Sequence, residues 1–238
     1  IAEIYDPETA TWALAGTLTH PRRGQTLTLL SNGQVLVVGS YAGCSAACTP
    51  GRTISEIYDP ASNQWSVAAT TQNDRAFHSA VLLLNGKVLV SGVAGSGLGA
   101  NRTMSELYNP EAKTWTLAAN STQYRSDVPA VLLKDGRVLK VGQSTSVTGV
   151  TGAATTPELY DPVTNTWSTI SPTNYRRADN SLTVLNNGKV LVVGANYNYL
   201  GNFSGQTIAE LYDPVVGNWT IAGTNTYSRV GNETALLN

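Results

Sequence analysis

Five times in 238 residues, a Glu-aliphatic-Tyr-Asp/Asn-Pro segment is followed by a tryptophan seven positions after its tyrosine. The copies are Glu3-Ile4-Tyr5-Asp6-Pro7 with Trp12, Glu56-Ile57-Tyr58-Asp59-Pro60 with Trp65, and Glu106-Leu107-Tyr108-Asn109-Pro110 with Trp115. Two more are Glu158-Leu159-Tyr160-Asp161-Pro162 with Trp167 and Glu210-Leu211-Tyr212-Asp213-Pro214 with Trp219. The tyrosines stand 53, 50, 52 and 52 residues apart, and all five tryptophans are used. Self-similarity at such a period means that one supersecondary unit recurs along the chain, so the fold is a repeat array.

A second block keeps step with the first. Arg22, Arg75, Arg125 and Arg177 are each followed by an apolar run, a glycine eleven residues on, and a second β-prone run ending in another glycine. Asn32-Gly33, Asn85-Gly86, Asp135-Gly136 and Asn187-Gly188 join the two runs, which predicts a hairpin with a tight I′ turn. The Tyr-Asp-Pro segment ends a third strand, because proline presets φ and the preceding side chain can bond back to the turn's amides. The tryptophan opens a fourth. No segment has helical spacing, so the chain reads as all-β, in four-stranded antiparallel units repeated radially.

This order of motifs resembles the kelch repeat over essentially all 238 residues. One regular departure is the single glycine after the second strand, followed by Ser40, Val93, Gln143 or Ala195 where kelch repeats usually carry a second glycine. The resemblance implies a single-domain β-propeller over 1–238, of about five blades. Full blades are expected at about 22–74, 75–124, 125–176 and 177–228, with a closing blade shared between 1–21 and 229–238. Because the N-terminal part supplies third and fourth strands and Arg229–Asn238 reads as a first strand, strand two of that blade is missing. Another segment or chain would fill the gap.

Charge excludes several partners. Fifteen Lys and Arg balance 16 Asp and Glu, leaving no cationic excess to neutralise phosphates, so no nucleic-acid partner is expected. No apolar run nears the roughly 20 residues that span a bilayer, so no membrane span is expected either. Cys44 and Cys48 share one small-residue loop and read as a local disulfide; no metal site and no cofactor are expected. Asn-x-Ser/Thr triplets, with Asn101, Asn120 and Asn202 as the candidate glycosylation sites, favour an extracellular setting.

Features that recur once per blade read as structure. The repeated Glu and Arg are expected to pair, since a buried charge left alone is costly, and Tyr and Trp to fill the gaps between blades. Function belongs where copies differ. Three residues after each arginine stand Gln25, His78, Val128, Asn180 and Asn232, with Phe77, Asp127, Asp179 and Glu233 beside them. Gln25, His78, Asp127, Asp179, Asn180 and Asn232 are the candidate inner-mouth residues. The loops at 40–54, 93–104, 143–156 and 195–208 also diverge, and Tyr197, Asn198, Tyr199 and Phe203 alternate rings with amides as a sugar or peptide site would.

The expected function is therefore a secreted, non-catalytic scaffold presenting loops to a protein or glycan. One alternative is an extracellular assembly or filament subunit, a homo-oligomer formed by strand exchange at the incomplete blade. Another is a copper-radical oxidase resembling galactose oxidase. That chemistry needs two His and two Tyr ligands, one Tyr linked to a Cys; here the histidines are His20 and His78 alone, and both cysteines lie in one loop.

Overall fold

A computed structural model describes residues 2–40, 53–92, 103–123, 125, 128–142, 156–194, 207–227 and 234–236. Every regular element in them is a strand. The order is β1 (Glu3–Asp6), β2 (Thr11–Leu14), β3 (Thr26–Leu29), β4 (Val35–Val38), β5 (Ile54–Asp59) and β6 (Gln64–Thr70). It continues with β7 (His78–Leu82), β8 (Val88–Gly92), β9 (Ser105–Asn109), β10 (Thr114–Ala118), β11 (Ala130–Leu132) and β12 (Val138–Lys140). The last are β13 (Glu158–Asp161), β14 (Thr166–Thr169), β15 (Ser181–Val184), β16 (Val190–Val193), β17 (Ile208–Asp213) and β18 (Asn218–Thr224).

These strands form four four-stranded sheets in sequence order, β3 to β6, β7 to β10, β11 to β14 and β15 to β18, plus a two-stranded sheet β1-β2. The register repeats: Tyr58 lies opposite Val35 and Trp65, Tyr160 opposite Val138 and Trp167, and Tyr212 opposite Val190 and Trp219. The expected strand order within each unit is thus the observed one.

The turns explain why. Asp6, Asp59, Asn109, Asp161 and Asp213 each accept, through Oδ1, the amide two residues ahead at 2.8–3.0 Å, which folds the Pro-containing turn on itself. The residue four beyond each of them is left-handed: Ala10, Asn63, Lys113, Asn165 and Gly217.

The hairpins between first and second strands differ from expectation. An I′ turn needs positive φ at both central residues. Only the glycines (φ 84° at Gly33, 78° at Gly86) have it. Leu30 N donates to Gln34 O at 2.8 Å and Gly33 N to Leu30 O at 3.0 Å, so the loop is a three-residue type I turn closed by a left-handed glycine bulge. Asn32 prefers this form because its Oδ1 accepts the Gln34 amide at 3.1 Å.

Contacts group the chain into two compact units, the first comprising 1–90, 94–101 and 106–117, the second 91–93, 102–105 and 118–238. In the first, Leu36, Val38 and Ile57 pack against Val88, Val90, Tyr108 and Trp115, so the core lies between two adjacent sheets, with β3 beside β7. In the second, Leu139, Val141 and Leu159 meet Val190, Val192, Tyr212 and Trp219, with β11 beside β15. Trp115 Nε1 donates to Ser55 Oγ at 3.0 Å and Trp219 Nε1 to Ser171 O at 3.0 Å, so each indole reaches into the preceding repeat, as the sequence led us to expect.

Candidate functional site

Each repeat's arginine sits just before its first strand and turns back onto the third. Arg22 Nη2 meets Glu56 Oε2 at 2.6 Å, Arg75 Nη2 meets Glu106 Oε1 at 2.9 Å, Arg125 Nε meets Glu158 Oε2 at 2.9 Å, and Arg177 Nη2 meets Glu210 Oε2 at 2.6 Å. The glutamates are fully buried and also accept main-chain amides, from Thr19, Gln72, Thr122 and Asn174. Arg177 Nη1 additionally donates to Gly194 O at 3.0 Å, which ties the end of strand two to the node. Burial alone would raise the Glu56 pKa, yet the hydrogen bonds from Thr19 and Arg22 outweigh it and hold the carboxyl below its ordinary value. These nodes are scaffold: each carboxylate is fully buried and bonded to its arginine and to a main-chain amide.

Two residues past Arg22, Arg75 and Arg177 the chain enters the left-handed region, at Gly24 (φ 67°), Phe77 (φ 52°) and Asp179 (φ 46°). For a phenylalanine this conformation is strained, and the surrounding structure enforces it. Phe77 N donates to Gly24 O at 2.9 Å, linking two successive loops of the first unit. The strained residue aims the next side chain. His78 is buried, with Nε2 at 2.8 Å from Thr26 Oγ1 on the neighbouring strand, and its ring lies over Gly39, where a Cβ would come within 2.8 Å of it. A single glycine ends strand two because the next repeat needs that space.

In the second unit Asn180 takes the equivalent place over Gly142. It is 5% exposed, and among the described residues neither Oδ1 nor Nδ2 has a hydrogen-bond partner. Val128 is buried, Asp179 half-buried and Gln25 exposed. Asp127 and Asn232 lie outside the described residues, as do Tyr197, Asn198, Tyr199, Phe203, Cys44, Cys48, Asn101 and Asn202. Asn120 is described, and it is exposed just after β10. Thr234 shares a hydrogen bond with Thr183 of β15, so this part of the C-terminal segment runs against a first strand.

One buried group escaped the sequence reading. Lys140 of β12 is 1% exposed, and its Nζ donates to Ser91 O at 2.9 Å and Ser91 Oγ at 3.1 Å. The signal was present: the other copies place Val37, Val90 and Val192 there.

As chemistry, these positions offer in the first unit one imidazole bonded to a hydroxyl, and in the second one buried carboxamide and one carboxylate. Among the described residues no three of His, Cys, Asp and Glu gather closely enough to hold a metal ion.

No family model matches the chain, and no curated protein matches it. Solved structures do. A fungal alcohol oxidase of the AA5 family, in complex with copper, superposes with a TM-score of 0.56 at 17% identity, over 96% of this chain and 59% of that one. The chain therefore spans less than two thirds of that oxidase and resembles it in fold. This likeness overturns the expectation of a non-catalytic binding scaffold and turns the reading toward the oxidase alternative.

Proposed function

We propose that the chain is a kelch-type β-propeller of about five blades and forms the framework of an extracellular oxidase-type enzyme similar to the AA5 copper alcohol oxidases. The fold likeness over 96% of the chain carries this reading. The repeated sheets support it, since β3 lies beside β7 and β11 beside β15, as neighbouring first strands would in a radial array. The two cysteines in one loop and the glycosylation triplets support the extracellular setting.

The described residues do not make up a copper-radical centre. His78 is buried against Thr26, and His20 Nδ1 lies 2.7 Å from Thr19 Oγ1 and 3.7 Å from Glu56 Oε2. No described tyrosine stands with either histidine in a ligand cluster: Tyr58 and Tyr160 donate to Asn63 and Asn165 in their own turns. No chemical step is assigned to these side chains. Their part in the reading is mechanical: the Arg-Glu nodes and left-handed residues fix the entry to each first strand, and any metal ligands come from outside the described residues.

The test uses the complete gene product, loaded with copper under oxidising conditions. Bound metal and alcohol-dependent hydrogen peroxide are measured together, with the alcohol losing two hydrogens to dioxygen. Stoichiometric copper with peroxide release is the expected result. A folded, complete protein that takes up no copper and releases no peroxide would contradict the reading.

A further inference from the structure

The hairpin turns carry a reactive pair that the oxidase reading does not use. Asn32-Gly33, Asn85-Gly86 and Asn187-Gly188 each set an amide side chain beside a main-chain nitrogen whose own residue has no Cβ to obstruct it. In such a pair the glycine nitrogen can attack Asn Cγ: the N–Cγ bond forms, the Cγ–Nδ2 bond breaks, and ammonia leaves with the proton that the glycine nitrogen gives up. Water then opens the cyclic imide to aspartate or, through the other carbonyl, to isoaspartate. In the folded chain both reacting groups are held. Gly33 N donates to Leu30 O at 3.0 Å, Gly86 N to Leu83 O at 3.0 Å and Gly188 N to Leu185 O at 2.8 Å. Asn32, Asn85 and Asn187 Oδ1 accept the amides of Gln34, Lys87 and Lys189 at 3.0–3.1 Å. Attack therefore waits for the turn to open.

What holds the turns shut differs among the three. Gly188 is buried, with Lys134 Cδ 3.3 Å from where a Cβ would stand, and Lys134 Nζ donates to Asn186 O, so a side chain of the preceding repeat lies across this turn. Gly86 is half-buried and Gly33 exposed, and the space beside each is open. The strands leading in differ as well: Leu182 and Val184 of β15 pack against the core of the second unit and Leu82 of β7 against that of the first, whereas Leu27 and Leu29 of β3 are each 64% exposed. Asn32 Nδ2 also donates to Gln34 Oε1 at 3.0 Å, but this exposed side-chain bond competes with water and holds little. We propose that Asn32 is a site of spontaneous deamidation, opened by fraying of the β3-β4 hairpin, and that Lys134 shields Asn187 from the same reaction. The aspartate product fits the turn, since Asp135 occupies the same place between β11 and β12 and accepts Arg137 N at 3.0 Å. Isoaspartate lengthens the main chain of a three-residue loop by one carbon, at the expense of the Leu30 N to Gln34 O bond that closes it.

The full 238-residue chain is incubated at mildly alkaline pH, once folded and once in denaturant, and the amide-to-acid mass gain of each turn is followed by mass spectrometry. Each folded rate is divided by the rate of the same turn in denaturant, which removes differences between neighbouring residues. The expected order of these ratios is Asn32 highest, Asn85 next and Asn187 lowest, with about tenfold or more between first and last. Lys134→Ala should raise the Asn187 ratio and leave the Asn32 ratio unchanged, and neither result depends on copper or on oxidase activity. An Asn32 ratio no higher than that of Asn187 overturns the proposal. So does an Asn187 ratio unmoved by Lys134→Ala, or a rise in that variant shared equally by all three turns.

Discussion

The pair β1-β2 and the pair β9-β10 carry the same motif in different company. Their local geometry is alike: Tyr5 and Trp12 rings are 5.2 Å apart at 46°, Tyr108 and Trp115 rings 5.1 Å apart at 44°, and both turns are closed by an Asx bond and a left-handed residue. Burial is not alike. Trp12 is 66% exposed and Tyr5 47%, against 8% and 0% for Trp115 and Tyr108. Glu3 is exposed, whereas Glu106 is fully buried on Arg75. The motif thus makes its own turn and ring pair, while its stabilising burial comes from the strands beside it.

The largest expected effect follows from that contrast. Trp115→Ala should cost about 3–5 kcal/mol in denaturant unfolding, whereas Trp12→Ala should cost under about 1 kcal/mol, because only the first vacates a packed site. Equal costs would break the comparison. Arg177→Met should follow closely, at about 3–5 kcal/mol, since it leaves the Glu210 carboxylate buried without its guanidinium. Glu3→Gln at the equivalent exposed position should stay within about 0.5 kcal/mol.

Acid sharpens the comparison further. A carboxylate whose folded pKa is depressed adds stability above its unfolded pKa, and that stability is lost as pH falls through the folded value. Glu56 is such a group. Thr19→Val removes the hydroxyl that donates to Glu56 Oε1, so it should raise that pKa, move the acid-unfolding midpoint to higher pH and cost about 1–2 kcal/mol at neutral pH. A small effect of the opposite sign is expected at Lys113, an exposed residue with φ 51°; Lys113→Gly should stabilise the turn by about 0.5–1 kcal/mol, read as a small rise in Tm.

What the sequence makes legible is what neighbours in sequence determine. Asp59 and Pro60 place a turn, Trp65 opens the next strand, and the Arg22-Glu56 pair follows from the cost of burying either charge alone. The hairpin type was not legible, because Asn32-Gly33 suits both an I′ turn and a type I turn with a glycine bulge; only the Leu30-Gln34 bond decides. The site was half legible. His78 and Asn180 stand out as variable positions, but the partner of His78 is Thr26 in another repeat, and the burial of Asn180 against Gly142 appears only once the chain is folded. Lys140 and Asn109 needed column-by-column comparison of the copies, which shows a lysine among valines and an amide among carboxylates.

Amide hydrogen exchange on the 238-residue chain tests most directly whether neighbouring strands, rather than the motif itself, stabilise each repeat. Among the described residues β1 pairs with β2 alone, whereas β5, β13 and β17 are paired on both sides. The expected result is that alternate amides of β1 exchange orders of magnitude faster than the corresponding amides of β5, β13 and β17. Protection of every β1 amide at the level of β5 would contradict the account, because the motif would then be as stable alone as between two strands.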